Sequence, residues 1–165
     1  METVYTTIEN QIRSDGSRGL LYDHYDTEEE AQAKYFTILA AAATSGIPFH
    51  EAFILVTGGG MDNVLEHREF DRREDKTPVY TTVENQLRED GSKGLLYDHF
   101  DSLEAAQSKY FLVLSAAAIS GIPYHEAYIL ITGGGVNNVL EHRAFDRRVE
   151  EEPVEEESAE EEPTE

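Results

Sequence analysis

The chain has 165 residues, with 13 Lys+Arg against 34 Asp+Glu, and its formal net charge is −21. That balance argues against non-specific binding to nucleic acid or to an anionic membrane surface, and no window approaches the roughly 18 continuous apolar residues of a membrane span. Cysteine is absent, which removes disulfides, thiol nucleophiles and Cys-based zinc sites; with a Met1–Val4 start unlike a signal peptide, a cytoplasmic, non-membrane protein is expected.

In chain order, residues 4–13 alternate and place Val4, Thr6, Ile8 and Ile12 on one face, as a half-buried strand requires. Asp15-Gly16-Ser17 is a tight-turn signal, and a second strand follows through Leu20–Tyr25. Asp26-Thr27 then caps a helix whose first turn carries Glu28, Glu29 and Glu30, where the helix dipole favours anions. Ala31, Tyr35, Ile38, Leu39 and Ala42 form its apolar stripe, and Gly46 and Pro48 end it. Residues 49–57 are the most apolar strand, and Gly58-Gly59-Gly60 with Met61-Asp62-Asn63 turns the chain into a last strand, 64–70.

The whole pattern then recurs. Shifting the chain by 75 residues lays 4–73 on 79–148 without a gap, with 51 of 70 pairs identical. Residues 1–73 and 79–148 are therefore two ββαββ units, joined by the polar linker 74–78, and each is long enough to fold as a unit. The expected fold is α+β: antiparallel sheets, each covered by one helix, in a pseudo-two-fold arrangement that the short linker holds side by side. Residues 149–165 hold 10 Glu and no Lys or Arg, a composition that cannot bury enough surface to order itself. This stretch reads as a disordered acidic tail whose removal leaves the body's melting temperature unchanged.

Few constellations point to chemistry. The triple glycines at 58–60 and 133–135 follow strands, but no helix start or Lys-Ser/Thr pair follows them, so they read as hairpin loops rather than phosphate cradles. The six histidines are His24/His99, His50/His125 and His67/His142. No pair has the i, i+4 spacing of a zinc helix, and approach of His50 to His67 across the glycine hairpin is the one arrangement that would bring two ligands together. The histidines are therefore read as surface or sheet hydrogen-bonding groups, with no metal and no cofactor. Arg68, Arg72 and Arg73, with Arg143, Arg147 and Arg148, hold 6 of the 13 basic residues. Arg68/Arg143 and Arg72/Arg147 are the candidates for holding a phosphate or carboxylate by bidentate bonds. No nucleophile turn and no cofactor fingerprint is present, so catalysis is not expected.

Tyr80-Thr81-Thr82-Val83, Gln86, Asp90-Gly91, Lys109-Tyr110, the Ala-rich stretch Ser115–Ala118 and the acidic residues 150–165 make each unit resemble a group of small uncharacterised proteins of bacteria and their phages. This chain departs from them in having two copies and the triple-glycine hairpin. The resemblance implies a phage or prophage setting and brings no catalytic or binding residues.

A sheet face left uncovered by its helix and bearing Tyr, Phe and Leu is an interface or a ligand platform, and duplication suggests a fused homodimer. The first reading is a non-enzymatic protein that sequesters a small anionic, nucleotide-type ligand at the repeat or oligomer interface of a homo-oligomer. Tyr22/Tyr97, Phe49/Tyr124 or Phe53/Tyr128 would stack on the base, and His50/His125 and His67/His142 would lie beside the arginines. The alternative is a protein-interaction module (an acidic nucleic-acid mimic or a virion accessory) whose partner is a host or phage protein. The third is a hydrolase dependent on His and Glu.

Overall fold

The computed structural model describes residues 3–58, 63–133 and 138–148. Unit 1 contains β1 (Val4–Ile12), β2 (Arg18–Tyr25), α1 (Glu28–Thr44), β3 (Phe49–Thr57) and β4 (Val64–Asp71); unit 2 contains β5 (Val79–Leu87), β6 (Lys93–Phe100), α2 (Leu103–Ile119), β7 (Tyr124–Thr132) and β8 (Val139–Asp146). The two sheets have the orders β2-β1-β3-β4 and β6-β5-β7-β8, and every neighbouring pair is antiparallel. The ββαββ reading of each unit holds. The glycine loops at 59–62 and 134–137 and the tail at 149–165 lie outside the described residues. No helix among the described residues is long and apolar enough to cross a membrane.

Local chemistry sets the boundaries. The Thr27 and Ser102 hydroxyls accept the backbone N–H of Glu30 and Ala105, at 3.3 and 3.2 Å, satisfying one of the amides a helix start leaves open. Gly46 and Gly121 follow the C-caps at φ of 68° and 69°, a left-handed conformation that releases the chain toward Pro48 and Pro123. Each helix packs its buried stripe on one face of its own sheet: Ala31, Tyr35 and Ile38 against Ala52 and Ile54, and Ala106, Tyr110 and Val113 against Ala127 and Ile129.

The other face of each sheet meets its counterpart. One buried cluster joins Ile8, Leu20, Phe53 and Leu55 of unit 1 to Val83, Leu95, Tyr128 and Leu130 of unit 2. The units are therefore stacked face to face, not side by side, in four layers ordered helix, sheet, sheet, helix. Burial drives this arrangement, because side by side each apolar sheet face would remain in water. All nine residues of β3 are buried: alternate side chains face α1 and the other unit, which explains a strand that is apolar without alternation.

The contacts between units are reciprocal, as a two-fold relation demands. Arg18 pairs with Asp101 and Lys93 with Asp26. Arg148 donates to the Gly58 carbonyl at 3.0 Å, and Arg73 lies against Gly133. Gly58 and Gly133 have φ of 82° and 78°, and a Cβ at either would meet the other unit's guanidinium.

Candidate functional site

Strand alternation sorts the polar residues between two faces. On β3, Phe49, Glu51, Phe53, Leu55 and Thr57 share the face turned to the other unit, while His50, Ala52 and Ile54 face α1. His50 pairs in register with Phe70, and His67 with Phe53. The approach of His50 to His67 across the hairpin does not occur, because the two rings lie on opposite faces of the sheet. His50 instead ties the helix end to the sheet: its Nε2 meets Glu9 at 2.5 Å and its Nδ1 meets the Ser45 hydroxyl at 3.3 Å. His125 repeats this with Glu84 and Ser120 at 2.5 and 3.2 Å.

The arginines are placed as follows. Arg68 pairs with Ala52 and Arg143 with Ala127, so both lie on helix-bearing faces, on opposite sides of the double sheet. Each lies over a phenylalanine ring, Phe70 at 5.7 Å and Phe145 at 5.5 Å. The Arg72 guanidinium donates to the carbonyls of Ala42, Ala43 and Ile47 at 2.9, 3.0 and 3.1 Å. It thereby closes the C-terminal end of α1, where carbonyls lack helical partners. Arg147 does the same for Ala117, Ala118 and Ile122. Tyr22 and Tyr97, each 40% exposed, lie beside His24 and His99, with ring centroids 5.7 and 5.6 Å apart. Phe53 and Tyr128 are fully buried and pack on His67 and His142, both at 4.4 Å. The structure gathers His67 with Phe53 and His142 with Tyr128 between the sheets, and leaves Arg68, Arg72, Arg143, Arg147, His50 and His125 on the outer faces.

Between the sheets lies a polar layer that sequence reasoning missed. Glu51 is 0% exposed; its Oε1 accepts from Asn10 Nδ2 at 3.1 Å, and its Oε2 meets His67 Nε2 at 3.0 Å. Asn10 Nδ2 also reaches Thr132 of unit 2 at 3.4 Å, and Asn138 Nδ2 meets His67 Nδ1 at 2.6 Å. Unit 2 repeats the set: Glu126 accepts from Asn85 at 3.2 Å and meets His142 at 2.9 Å. Asn85 reaches Thr57 at 3.2 Å and Asn63 meets His142 at 2.7 Å. The available signals were a carboxylate flanked by Phe49 and Phe53 in an apolar strand, and Asn10 continuing the Val4, Thr6, Ile8 face.

The two copies part at three positions. In unit 2 the hydroxyls of Tyr124 and Tyr128 donate to Glu126 Oε2 at 2.7 and 3.0 Å; burial, then the Glu126 charge, pushes both phenols up from their ordinary range. Unit 1 has Phe49 and Phe53 there. Where unit 2 has Ala144, unit 1 has Glu69, in register with Glu51. The ligand atoms of Glu51, His67 and Glu69 all lie within 4.8 Å of one another. Glu69 Oε2 is inaccessible and has no partner among the described residues, and burial, then the Glu51 charge, raises the Glu69 pKa.

A second feature lies at one end of the sandwich. Arg88, Lys93 and Arg148 line a cavity of about 240 Å³ with Leu87, Glu89 and Pro123, and an adjoining cavity of about 410 Å³ shares Arg88, Glu89 and Pro123. Arg88 is held by Gln86 and Ser92 at 3.0 and 3.3 Å, and Arg148 lies over the Tyr124 ring at 4.7 Å. Unit 1 carries Arg13, Arg18 and Arg73 at the corresponding positions.

No family model, no curated protein and no solved structure matches the chain.

Proposed function

We propose that the chain is a non-enzymatic binding protein for a small, multiply charged anion of nucleotide type, held at the ends of the double sheet. The observation that carries this reading is the convergence of Arg88, Lys93 and Arg148 on one cavity in a chain of net charge −21. Guanidinium and ammonium groups around a partly apolar wall suit a phosphate-bearing ligand, which gains charge-assisted bonds on one side and apolar contact with Leu87 and Pro123 on the other. The repetition of the basic residues 75 positions earlier supports two equivalent sites per chain. Arg72 and Arg147 act as helix caps and are not assigned to the ligand, while an anion in the cavity would compete with Asp26 for Lys93 and with Asp146 for Arg148.

Calorimetric titration of the full chain with pyrophosphate, ATP and a cyclic dinucleotide tests the reading. Saturable heat is expected with at least one, weakening as salt rises. An Arg13→Ala/Arg88→Ala variant should bind about 10-fold more weakly, the scale of one charged hydrogen bond. No heat with any of the three anions rejects it.

A second reading, a protein-interaction module, is favoured by apolar side chains exposed at matching positions of both units: Leu21 and Leu96 at 62% and 61%, and Phe36 and Phe111 at 58% and 56%. Light scattering of the full chain and of a Phe36→Ser/Phe111→Ser variant separates the two. A mass above the monomer that falls in the variant supports a protein contact through these residues.

A further inference from the structure

We propose that Glu51, His67 and Glu69 form a binding site for a first-row divalent cation such as Zn²⁺, present in unit 1 and absent from unit 2. This does not depend on the anion reading, which concerns another part of the molecule.

Each donor is set by the sheet. Glu51 and Glu69 are register partners and His67 pairs with Phe53, so all three project from one face of two neighbouring strands. The separation of His67 Nε2 and Glu51 Oε2 is 3.0 Å. Two ligands bonded at 2.0–2.1 Å around a tetrahedral cation stand roughly 3.3 Å apart, so only a small opening of the pair is needed. The imidazole selects zinc and its neighbours over Ca²⁺ and Mg²⁺, which prefer oxygen throughout. Three protein ligands leave a position for water. β4 is an edge strand and the His67 side chain is 16% exposed, so the site has a path to solvent.

The comparison of the two units points to a cation here. Duplication supplies an internal control: both units bury a carboxylate beside a histidine, but unit 2 satisfies Glu126 Oε2 with two phenol hydroxyls. Unit 1 lacks both hydroxyls and adds the second carboxylate of Glu69, whose buried Oε2 has no partner among the described residues. Unit 1 thus concentrates negative charge where unit 2 supplies donors, and buried carboxylates require neutralisation. Asn138, only 8% exposed, has an unpartnered Oδ1 beside His67, as Asn63 has beside His142, so this amide is compatible with a metal-bound imidazole in either unit and the difference between the units rests on Glu69. A half-turn of the Asn138 amide lets Oδ1 accept from Nδ1–H and frees the Nε2 lone pair for the metal, the hydrogen bond that a ligating histidine ordinarily makes. Because Asn138 belongs to unit 2, metal binding would also tighten the contact between units.

Co²⁺ serves as the spectroscopic probe and Zn²⁺ as the competitor, with the full chain throughout. Titration should give ligand-field absorption saturating at one Co²⁺ per chain, erased by Zn²⁺, and both ions should raise the melting temperature. Glu69→Ala, the residue unit 2 itself carries, should fold normally and bind at least about 100-fold more weakly; His67→Gln should behave alike. A Tyr124→Phe/Tyr128→Phe/Ala144→Glu variant should raise the stoichiometry from one to two. Absence of saturable Co²⁺ absorption in the parent chain overturns the proposal. So does binding that survives Glu69→Ala unchanged, because the ion would then sit on other carboxylates, such as those at 150–165.

Discussion

Units 1 and 2 have the same strands, the same helix and the same buried glutamate, yet they differ in what surrounds that glutamate. Unit 2 encloses Glu126 in hydrogen-bond donors: Asn85, His142, Tyr124 and Tyr128. Among the described residues unit 1 gives Glu51 only Asn10 and His67 as side-chain donors, and sets Glu69 opposite it. A duplicated fold thus holds one position constant while its electrostatic surroundings change from self-satisfied to anion-rich. Three of the 19 differences between the units produce this change, and the rest are mostly mild exchanges of size.

The largest effect that would break this comparison lies in unit 2. A Tyr124→Phe/Tyr128→Phe variant removes two donors from a buried carboxylate and should lose about 3 kcal/mol of stability, measured by urea denaturation, since hydrogen bonds to charged groups contribute most. The reciprocal exchange in unit 1, Phe49→Tyr/Phe53→Tyr/Glu69→Ala, should be neutral or stabilising in metal-free buffer. Comparable losses from both exchanges would mean that the two glutamates share one kind of environment.

Next come Arg72 and Arg147, where the units do not differ. Each closes a helix end through three carbonyls, so Arg72→Ala and Arg147→Ala should each lose about 2 kcal/mol, equally within error. A marked inequality in their denaturation curves would show that the units are less alike in their helix ends than the matching distances indicate. A smaller effect is expected from Glu69→Ala in the presence of chelator, a gain of about 1 kcal/mol, the lower end of the penalty for a buried unpaired polar group. A loss instead would show Glu69 to be favourably held without a metal.

The smallest effect is pH dependence common to both units. Burial, and then the charge of Lys93, holds His24 below its ordinary 6.5, with Asp23 opposing. Burial and then Arg18 do the same at His99, with Asp98 opposing. The unfolded chain therefore binds more protons just below pH 6.5, and stability should fall as pH drops from there until the folded-state histidines titrate, then level off. A His24→Gln/His99→Gln variant should show a shallower fall between pH 7 and 5. An identical slope would remove these two residues from the account.

Much of the fold was legible because its signals are local. The Thr27 and Ser102 caps, the Ala31–Ala42 stripe, the Asp15-Gly16 turn and the period-two pattern of 4–12 each depend on near neighbours. The stacking of the two sheets was not, because it is decided by which uncovered faces meet, and no local spacing encodes a contact between Ile8 and Val83 or between Asn10 and Thr132. The site suffered most. Glu51 is one of 34 acidic residues, and only its place between Phe49 and Phe53 marks it as buried. Arg72 and Arg147 stood out as an anion-binding repeat because their partners, the carbonyls of the preceding helix, are invisible in side-chain chemistry. His50 and His67 are close in register but three strand pairs apart, an odd number, and that parity alone put them on opposite faces.

The central claim is that duplication has left one cation site in two otherwise matching units, and anomalous diffraction tests it most directly. Crystals of the full chain grown with Co²⁺ should give, at the cobalt edge, a peak between Glu51 Oε2, His67 Nε2 and the Glu69 carboxylate, and none beside Glu126 and His142. A map without a peak at Glu51, or with equal peaks beside both glutamates, would contradict it.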